Sequence, residues 1–237
     1  IGDFQLREDC RDILSKIYDI ERLSSKISYE TINIKEIMSL KSSIMNLPLL
    51  ISVIQKSDCK KLKKRVDGMD DLRDIYEYID EVIMENPSPG IKDGEVINSS
   101  FNKELEEYRY IESNASKILQ ELEQEERGRT QIKNLKIGYN KVFGYYIEIT
   151  NSNLRDFEPP VDYIRKQTLS NAERYISEKL KIVEDKILTA RQKIYEIQSD
   201  IFSDFKSELY KSVNRIQSTA SIIGEVDAIC SLASAAV

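Results

Sequence analysis

Hydrophobic positions recur along most of the chain at intervals of three and four residues. Leu6, Cys10, Ile13, Leu14, Ile17, Ile20 and Leu23 follow this spacing and predict a helix over 3–28. Ile34, Ile37, Met38, Ile44 and Met45 predict a second over 34–46. Pro48 disfavours helix at Leu47, which leaves 49–54 as a short buried helical turn. Leu72, Ile75, Ile79, Val82 and Ile83 predict another helix over 70–84. The run Asn86-Pro-Ser-Pro-Gly90 is the clearest break, followed by a loop around Lys92-Asp-Gly94.

From 102 to 126 the chain is free of Gly and Pro, and Tyr108, Ile111, Ala115, Ile118 and Leu122 form an a/d seam. The period then drops to two. Segments 133–138 and 142–150 read as strands. In the second, Phe143, Tyr145, Ile147 and Ile149 share one face, and Val142, Tyr146, Glu148 and Thr150 the other. Tyr139-Asn-Lys141 is the predicted turn, Pro159-Pro160 closes a polar loop, and 161–168 reads as a further strand. A second seam runs through Leu180, Val183, Ile187, Ala190, Ile194, Ile197 and Ile201 and extends to Leu209. Thirty such residues span roughly 45 Å. A last helix starts near Lys211 and carries Val213, Ile216, Ala220, Ile223, Val226 and Ile229, with Gly224 as an interruption.

Neither seam can be buried alone, so each supplies the other's partner. The predicted fold is mainly α with a small antiparallel β insert. A helical core carries two long antiparallel helices with the β module at their tip. The expected division is 1–127 and 177–237 for the helical domain and 128–176 for the β module.

Composition agrees with long, solvated helices. Gly (8) and Pro (5) are scarce in 237 residues, and 32% of residues are charged. The absence of histidine removes His-based acid–base chemistry, Ser-His and Cys-His pairs, and His metal ligands. Cys10, Cys59 and Cys230 lie far apart with no CxxC, and read as reduced structural thiols. No signal peptide is visible and no apolar run approaches the roughly 18 residues of a membrane span. The expectation is a cytoplasmic protein with no membrane partner. The chain starts at Ile1 without Met and ends in Leu232-Ala-Ser-Ala-Ala-Val237 with no helix stop, and so reads as a piece of a longer polypeptide.

A net charge of −6 argues against nucleic acid when taken whole. The charge is unevenly placed. Between Arg127 and Ser177 there are nine bases and five acids, a net +4, which leaves −10 for the rest. A basic module sits inside an acidic scaffold. The stretch from Tyr163 to Tyr175 offers Arg165, Lys166, Gln167, Thr168, Ser170, Asn171 and Arg174, and Lys141 lies in the predicted hairpin turn. Such donors hold a phosphate backbone without reading sequence. Tyr145 and Tyr146 read as face-packing rings rather than base-stacking platforms. Lys60, Lys61, Lys63, Lys64 and Arg65 read as a solvated helix face rather than a second DNA contact. No G-x-x-x-x-G-K-[ST], GxGxxG or GxSxG run and no paired-carboxylate constellation occurs, so the chain is expected to be neither an enzyme nor a holder of cofactor or metal.

The run Leu135-Lys-Ile-Gly-Tyr-Asn-Lys-Val-Phe-Gly-Tyr-Tyr-Ile-Glu-Ile-Thr150 closely resembles the clamp hairpin of MutS DNA mismatch-repair proteins. The Tyr163–Tyr175 stretch and the Glu178-Lys-Leu after it match the same family in order. Upstream, Ile17-Tyr-Asp-Ile-Glu-Arg-Leu23 resembles its D-x-E-R-L helix, and Ser39-Leu40 with Leu47-Pro-Leu49 its S-L…L-P-x-L segment. The resemblance implies a core/lever domain with an inserted clamp, taken from a protein whose mismatch reader and ATPase, with its ATP and Mg, lie elsewhere. It implies a clamp that embraces double-stranded DNA through phosphate contacts and levers that relay ATPase state. The matching donors are Lys141, Arg165, Lys166, Ser170, Asn171 and Arg174. It further implies a homodimeric, nucleoid-associated bacterial parent that binds downstream mismatch-repair proteins. The competing readings are a coiled-coil adaptor that binds protein through its tip, and an enzyme module, which would need ATP hydrolysis in this chain.

Overall fold

A computed structural model describes residues 4–155 and 158–236. Ile1, Asp3 at the start of the first predicted helix, Asp156 among the counted acids, and Val237 lie outside the described residues. The elements in chain order are α1 (Phe4–Leu14), α2 (Ile20–Ser28), α3 (Ile34–Lys56), α4 (Lys60–Val66), α5 (Arg73–Val82), α6 (Lys103–Ser113) and α7 (Ala115–Thr130). Then come β1 (Lys136–Asn140), β2 (Gly144–Thr150), α8 (Asn151–Leu154), β3 (Ile164–Thr168), β4 (Ala172–Ile176), α9 (Glu178–Lys211) and α10 (Val213–Ala235). The fold is mainly α with one small antiparallel sheet.

The chain forms two compact units, residues 1–101 with 198–237, and residues 102–197. The first is helical, apart from the 83–98 segment with its bridge between Ile83 and Ile97, around Leu23, Ile37, Leu47, Leu50, Ile79 and Ile216, each essentially inaccessible. Three helix boundaries differ from the sequence expectation. The predicted 3–28 helix breaks into α1 and α2, because the Asp19 carboxylate accepts the Arg22 N–H at 2.9 Å and caps a new start. Conversely, α3 runs straight through Pro48. A mid-helix proline costs about 3 kcal/mol. Beyond it, Leu50 and Ile54 are fully buried and return about 1.5–3 kcal/mol each. Gly224 likewise does not interrupt α10. An 18-residue stretch of the 23-residue α3, with mean hydropathy 1.6, is long and apolar enough by composition to cross a membrane, although Lys41 and Asn46 interrupt its apolar run. Its buried face packs in the helical core of this unit, against α1, α4 and α5.

In the second unit, α6 and α7 pair antiparallel with the 178–197 part of α9. Arg191 bonds Glu112 at 3.0 Å and Lys179 pairs with Glu125, so the ladder runs in opposite directions on the two sides. Leu122, Ala115, Leu180, Ile187 and Ala190, all predicted seam positions, are buried. The expected single helix over 102–126 is interrupted at Asn114, whose side-chain amide donates to the Tyr110 carbonyl at 2.8 Å and competes with the backbone ladder.

The sheet order is β1-β2-β4-β3, antiparallel throughout. The first turn lies later than predicted, at 141–143. Asn140 pairs with Gly144, and the Asn140 side chain accepts the Val142 N–H at 2.7 Å. Phe143 therefore leaves the expected inner face, and its ring meets Tyr146 at 5.8 Å. The Tyr163–Tyr175 run, read as one strand and a donor-rich segment, is a hairpin of β3 and β4 with a bulge between Arg165 and Gln167.

Candidate nucleic-acid interface

One face of the sheet is set by the period-two alternation of β2. Ile147 and Ile149 are fully buried and pack with Leu122, Ile132, Leu135, Tyr163, Tyr175 and Leu180. Two helix carboxylates then finish the backbone pairing. Glu123 of α7 accepts the Ile137 N–H at 2.7 Å, and Glu184 of α9 accepts the Tyr145 N–H at 2.9 Å. Beside that second bond Gly144 has φ +80, and a β-carbon there would lie 1.9 Å from the Glu184 Oε1 atom. Glycine is required on both counts.

These ties orient the sheet. The 141–143 turn lies on the α9 side, beside Glu184. The opposite end, where Thr150 pairs with Ala172, leads into α8, beside the loop that follows α7. The seven residues of β2 separate the two ends by six steps, roughly 20 Å at strand rise.

The six candidate donors do not form one cluster on this frame. Lys141 is exposed in the 141–143 turn, at the helix end. Ser170 and Asn171 are exposed in the β3–β4 turn, at the far end. Arg165 and Lys166 are exposed on β3, the edge strand, and Arg165 pairs with Glu173 across to β4 at 3.2 Å. Arg174 is committed to the fold. Its side chain is 18% exposed, donates to Glu148 at 2.9 Å and to Gln167 at 3.0 Å, and lies 4.2 Å over the Tyr146 ring. That ring in turn lies against Gly138, where a β-carbon would approach to 2.7 Å. Tyr146 is thus a packing ring, not a free stacking surface.

The far end carries donors that sequence reasoning left out. Asn151 at the start of α8 donates its backbone N–H to the Asn171 carbonyl at 3.0 Å and its side-chain amide to the Ser170 carbonyl at 3.1 Å. A cleft of about 560 Å³ joins Gln131, Lys133 and Asn134 to Ser152 and Asn153. Lys133, Asn134, Ser152 and Arg155 are exposed. The 131–134 loop, α8 and the β3–β4 turn therefore make one continuous polar surface. Lys133 and Arg155 were visible in the +4 charge count, but only the strand register brings them towards Ser170 and Asn171.

The carboxylates nearest the basic residues are mostly in use. Asp162 is held below the usual carboxylate range by two hydrogen bonds from Arg129. Burial, then the bond to Glu173, pushes the Tyr175 phenol up to about 12. Burial also raises Tyr163, whose hydroxyl donates to Glu126 at 2.6 Å.

Comparison with known proteins gives a family match and a set of relatives. MutS family domain IV matches residues 100–193, nearly the span of the second compact unit. The chain is 50% identical over 234 residues to the DNA mismatch repair protein MutS of Clostridioides difficile, covering 99% of this chain and 25% of that protein. It is 47% identical to the protein of the same description from Caldicellulosiruptor bescii, covering 95% of this chain and 26% of that protein. For the one from Caldicellulosiruptor saccharolyticus the identity is 45%, over 100% of this chain and 27% of that protein. The chain spans about a quarter of the length of the curated relatives it matches.

Proposed function

We propose, the chain belonging to the MutS family, that it is the non-catalytic core/lever and clamp segment of a DNA mismatch-repair protein. Residues 128–176 are the clamp, and 1–127 with 177–237 the core and levers. The clamp holds duplex DNA by its phosphate backbone without sequence preference, and the levers couple it to an ATPase domain outside this chain. ATP and Mg belong to that domain. The parent is a homodimer of the bacterial cytoplasm that recruits further repair proteins and needs no membrane.

The observation that carries the DNA reading is the far end of the sheet. Exposed lysine, arginine, hydroxyl and amide donors from three separate segments converge there, within the unit that matches domain IV. Phosphates accept from such groups, and Lys and Arg add the counterion-release gain. The contact group consists of Lys133, Ser152, Arg155, Ser170 and Asn171, with Arg165 and Lys166 along the β3 edge. Lys141 sits at the other end of the sheet and contributes less. Arg174 acts by holding β2, β3 and β4 together.

A salt titration of fluorescent duplex binding by this chain tests the proposal. Binding should be equal for unrelated sequences, and log affinity should fall linearly with log salt. Each phosphate contact contributes a slope of about 0.9. Charge reversal at Lys133 and Lys166 that leaves both affinity and slope unchanged rejects the interface.

A further inference from the structure

We infer that Glu126 and Arg129 are positioning residues: they form a joint that fixes the orientation of the sheet on the helical arm. The covalent chain holds the sheet at only two places. The 131–135 segment leads from α7 into β1, and Ser177 leads from β4 into α9. In the order β1-β2-β4-β3, this leaves the β3 edge attached only through β4. Glu123 and Glu184 tie β1 and β2 to the helices, and the joint supplies the corresponding tie at the β3 edge.

Its geometry is specific. Glu126, in the last turns of α7, is 0% exposed. One carboxylate oxygen accepts from the Tyr163 hydroxyl at 2.6 Å and from Arg129 Nε at 2.9 Å. The other oxygen is buried with no hydrogen-bond partner among the described residues. The Arg129 guanidinium reaches on to Asp162, with two parallel bonds of 3.0 and 3.1 Å, and lies 5.2 Å from the centre of the Tyr163 ring. Asp162 and Tyr163 are the two residues before β3, 33 and 37 positions from their partners. The Arg129–Asp162 pair holds both groups in their charged forms, Asp162 shifted down and Arg129 up.

Stability alone does not explain this arrangement. A buried carboxylate with an orphan oxygen is no more stabilising than an apolar side chain of the same size, and often less so. Leu122, Leu135 and Tyr175 already supply the hydrophobic packing here. Apolar packing also tolerates sliding and rotation, whereas two parallel charged bonds and a phenol bond fix distance and angle together. Under the clamp reading proposed above, on which this role rests, the joint hands motion of the arm to the DNA-holding tip undiminished.

The test is a distance measurement that needs no DNA. Spin labels at Lys117 on α7 and Asn171 in the β3–β4 turn are introduced into the full chain in a Cys59→Ser background. The wild-type joint should give a single narrow distance distribution. Glu126→Ala should broaden it about twofold, with far-UV circular dichroism unchanged, since the bonds to Tyr163 and Arg129 specify geometry. Glu126→Gln keeps an acceptor for Tyr163 but not the charge facing Arg129, and should fall between. Superimposable distributions for wild type and Glu126→Ala overturn the inference. If Glu126→Ala does not fold, Asp162→Asn decides. It leaves Glu126 bonded to Tyr163 and Arg129 and weakens only the charged bonds from Arg129 to Asp162, and an unchanged width there overturns the inference equally. The clamp reading fails separately, in the salt titration, and leaves the distance result standing.

Discussion

Gln131 closes α7 at φ 60 and ψ 13, in the left-handed region where helices usually end on glycine. A β-carbon there costs about 1 kcal/mol, while the side-chain bond from Gln131 to the Gly128 carbonyl is exposed and returns a fraction of that. Gln131→Gly should therefore stabilise the chain by about 0.5–1 kcal/mol. The expected reading is a higher urea midpoint, and a lower one would mean that the Gly128 bond dominates. Gly144 shows the reverse case. Gly144→Ala strains a positive φ and displaces Glu184 from the Tyr145 N–H, so a destabilisation of about 1–3 kcal/mol is expected in the same measurement. Arg165 and Arg174 look alike in the sequence, two arginines in one donor-rich run. They separate only once β4 is placed between β2 and β3, which turns Arg174 onto the Tyr146 ring and leaves Arg165 at the edge. Arg174→Gln should accordingly lower the melting temperature, whereas Lys166→Gln should leave it unchanged and weaken only duplex binding.

At the scale of elements, the long periodic features were legible and the short ones only in part. The α9 seam and the alternating face of β2 follow from spacing alone, because each buries a continuous apolar row. Of the β3–β4 hairpin, β3 was legible within 161–168 and β4 was not. Its strands carry Arg-Lys-Gln-Thr and Glu-Arg, with little alternation, and they are held by the Arg165–Glu173 ion pair and by the Tyr163–Tyr175 ring contact at 5.7 Å. The break at Asn114 and the continuity through Pro48 depend on side-chain bonds and burial that no local pattern announces. The same two tyrosines make the sheet sensitive to alkali. Their phenols titrate near 10 in the unfolded chain; in the fold both are raised, Tyr175 to about 12. A group with a raised native value stabilises fully below its unfolded value and loses that contribution as pH rises through the native one. Stability should thus hold up to about pH 10 and fall between about 10 and 12. Tyr175→Phe should flatten that fall in urea titrations taken across the range. An equally steep fall in the variant would assign the alkaline destabilisation elsewhere.

At the scale of the whole molecule, the uneven charge seen in the sequence takes a physical form. Residues 102–197 hold seventeen bases and seventeen acids, so the second unit is neutral, yet nine of those bases and only five of those acids lie between 127 and 177. The unit is polarised, an acidic helical arm ending in a basic sheet. The first unit, with eighteen bases and twenty-four acids, carries all of the net −6. A phosphate backbone approaching this molecule meets net negative charge on both helical parts, the basic α4 helix apart, and net positive charge at the sheet, so the field itself favours the sheet in the encounter. Two consequences can be separated by salt. Long-range repulsion from the helices is screened beyond a Debye length, about 10 Å at 0.1 M, whereas close phosphate contacts weaken through counterion release. Neutralising arm carboxylates far from the sheet, for example Glu104→Gln with Glu107→Gln, should speed association with duplex at low salt and leave the salt slope of the equilibrium unaltered. Neutralising Lys133 and Lys166 should instead reduce that slope by about 1 for each phosphate no longer held. Stopped-flow association rates and equilibrium titrations over the same salt range distinguish the two. A slope that responds to the arm variants as much as to the sheet variants would place the DNA contact on the helices, and the basic sheet would then be an ordinary solvated surface.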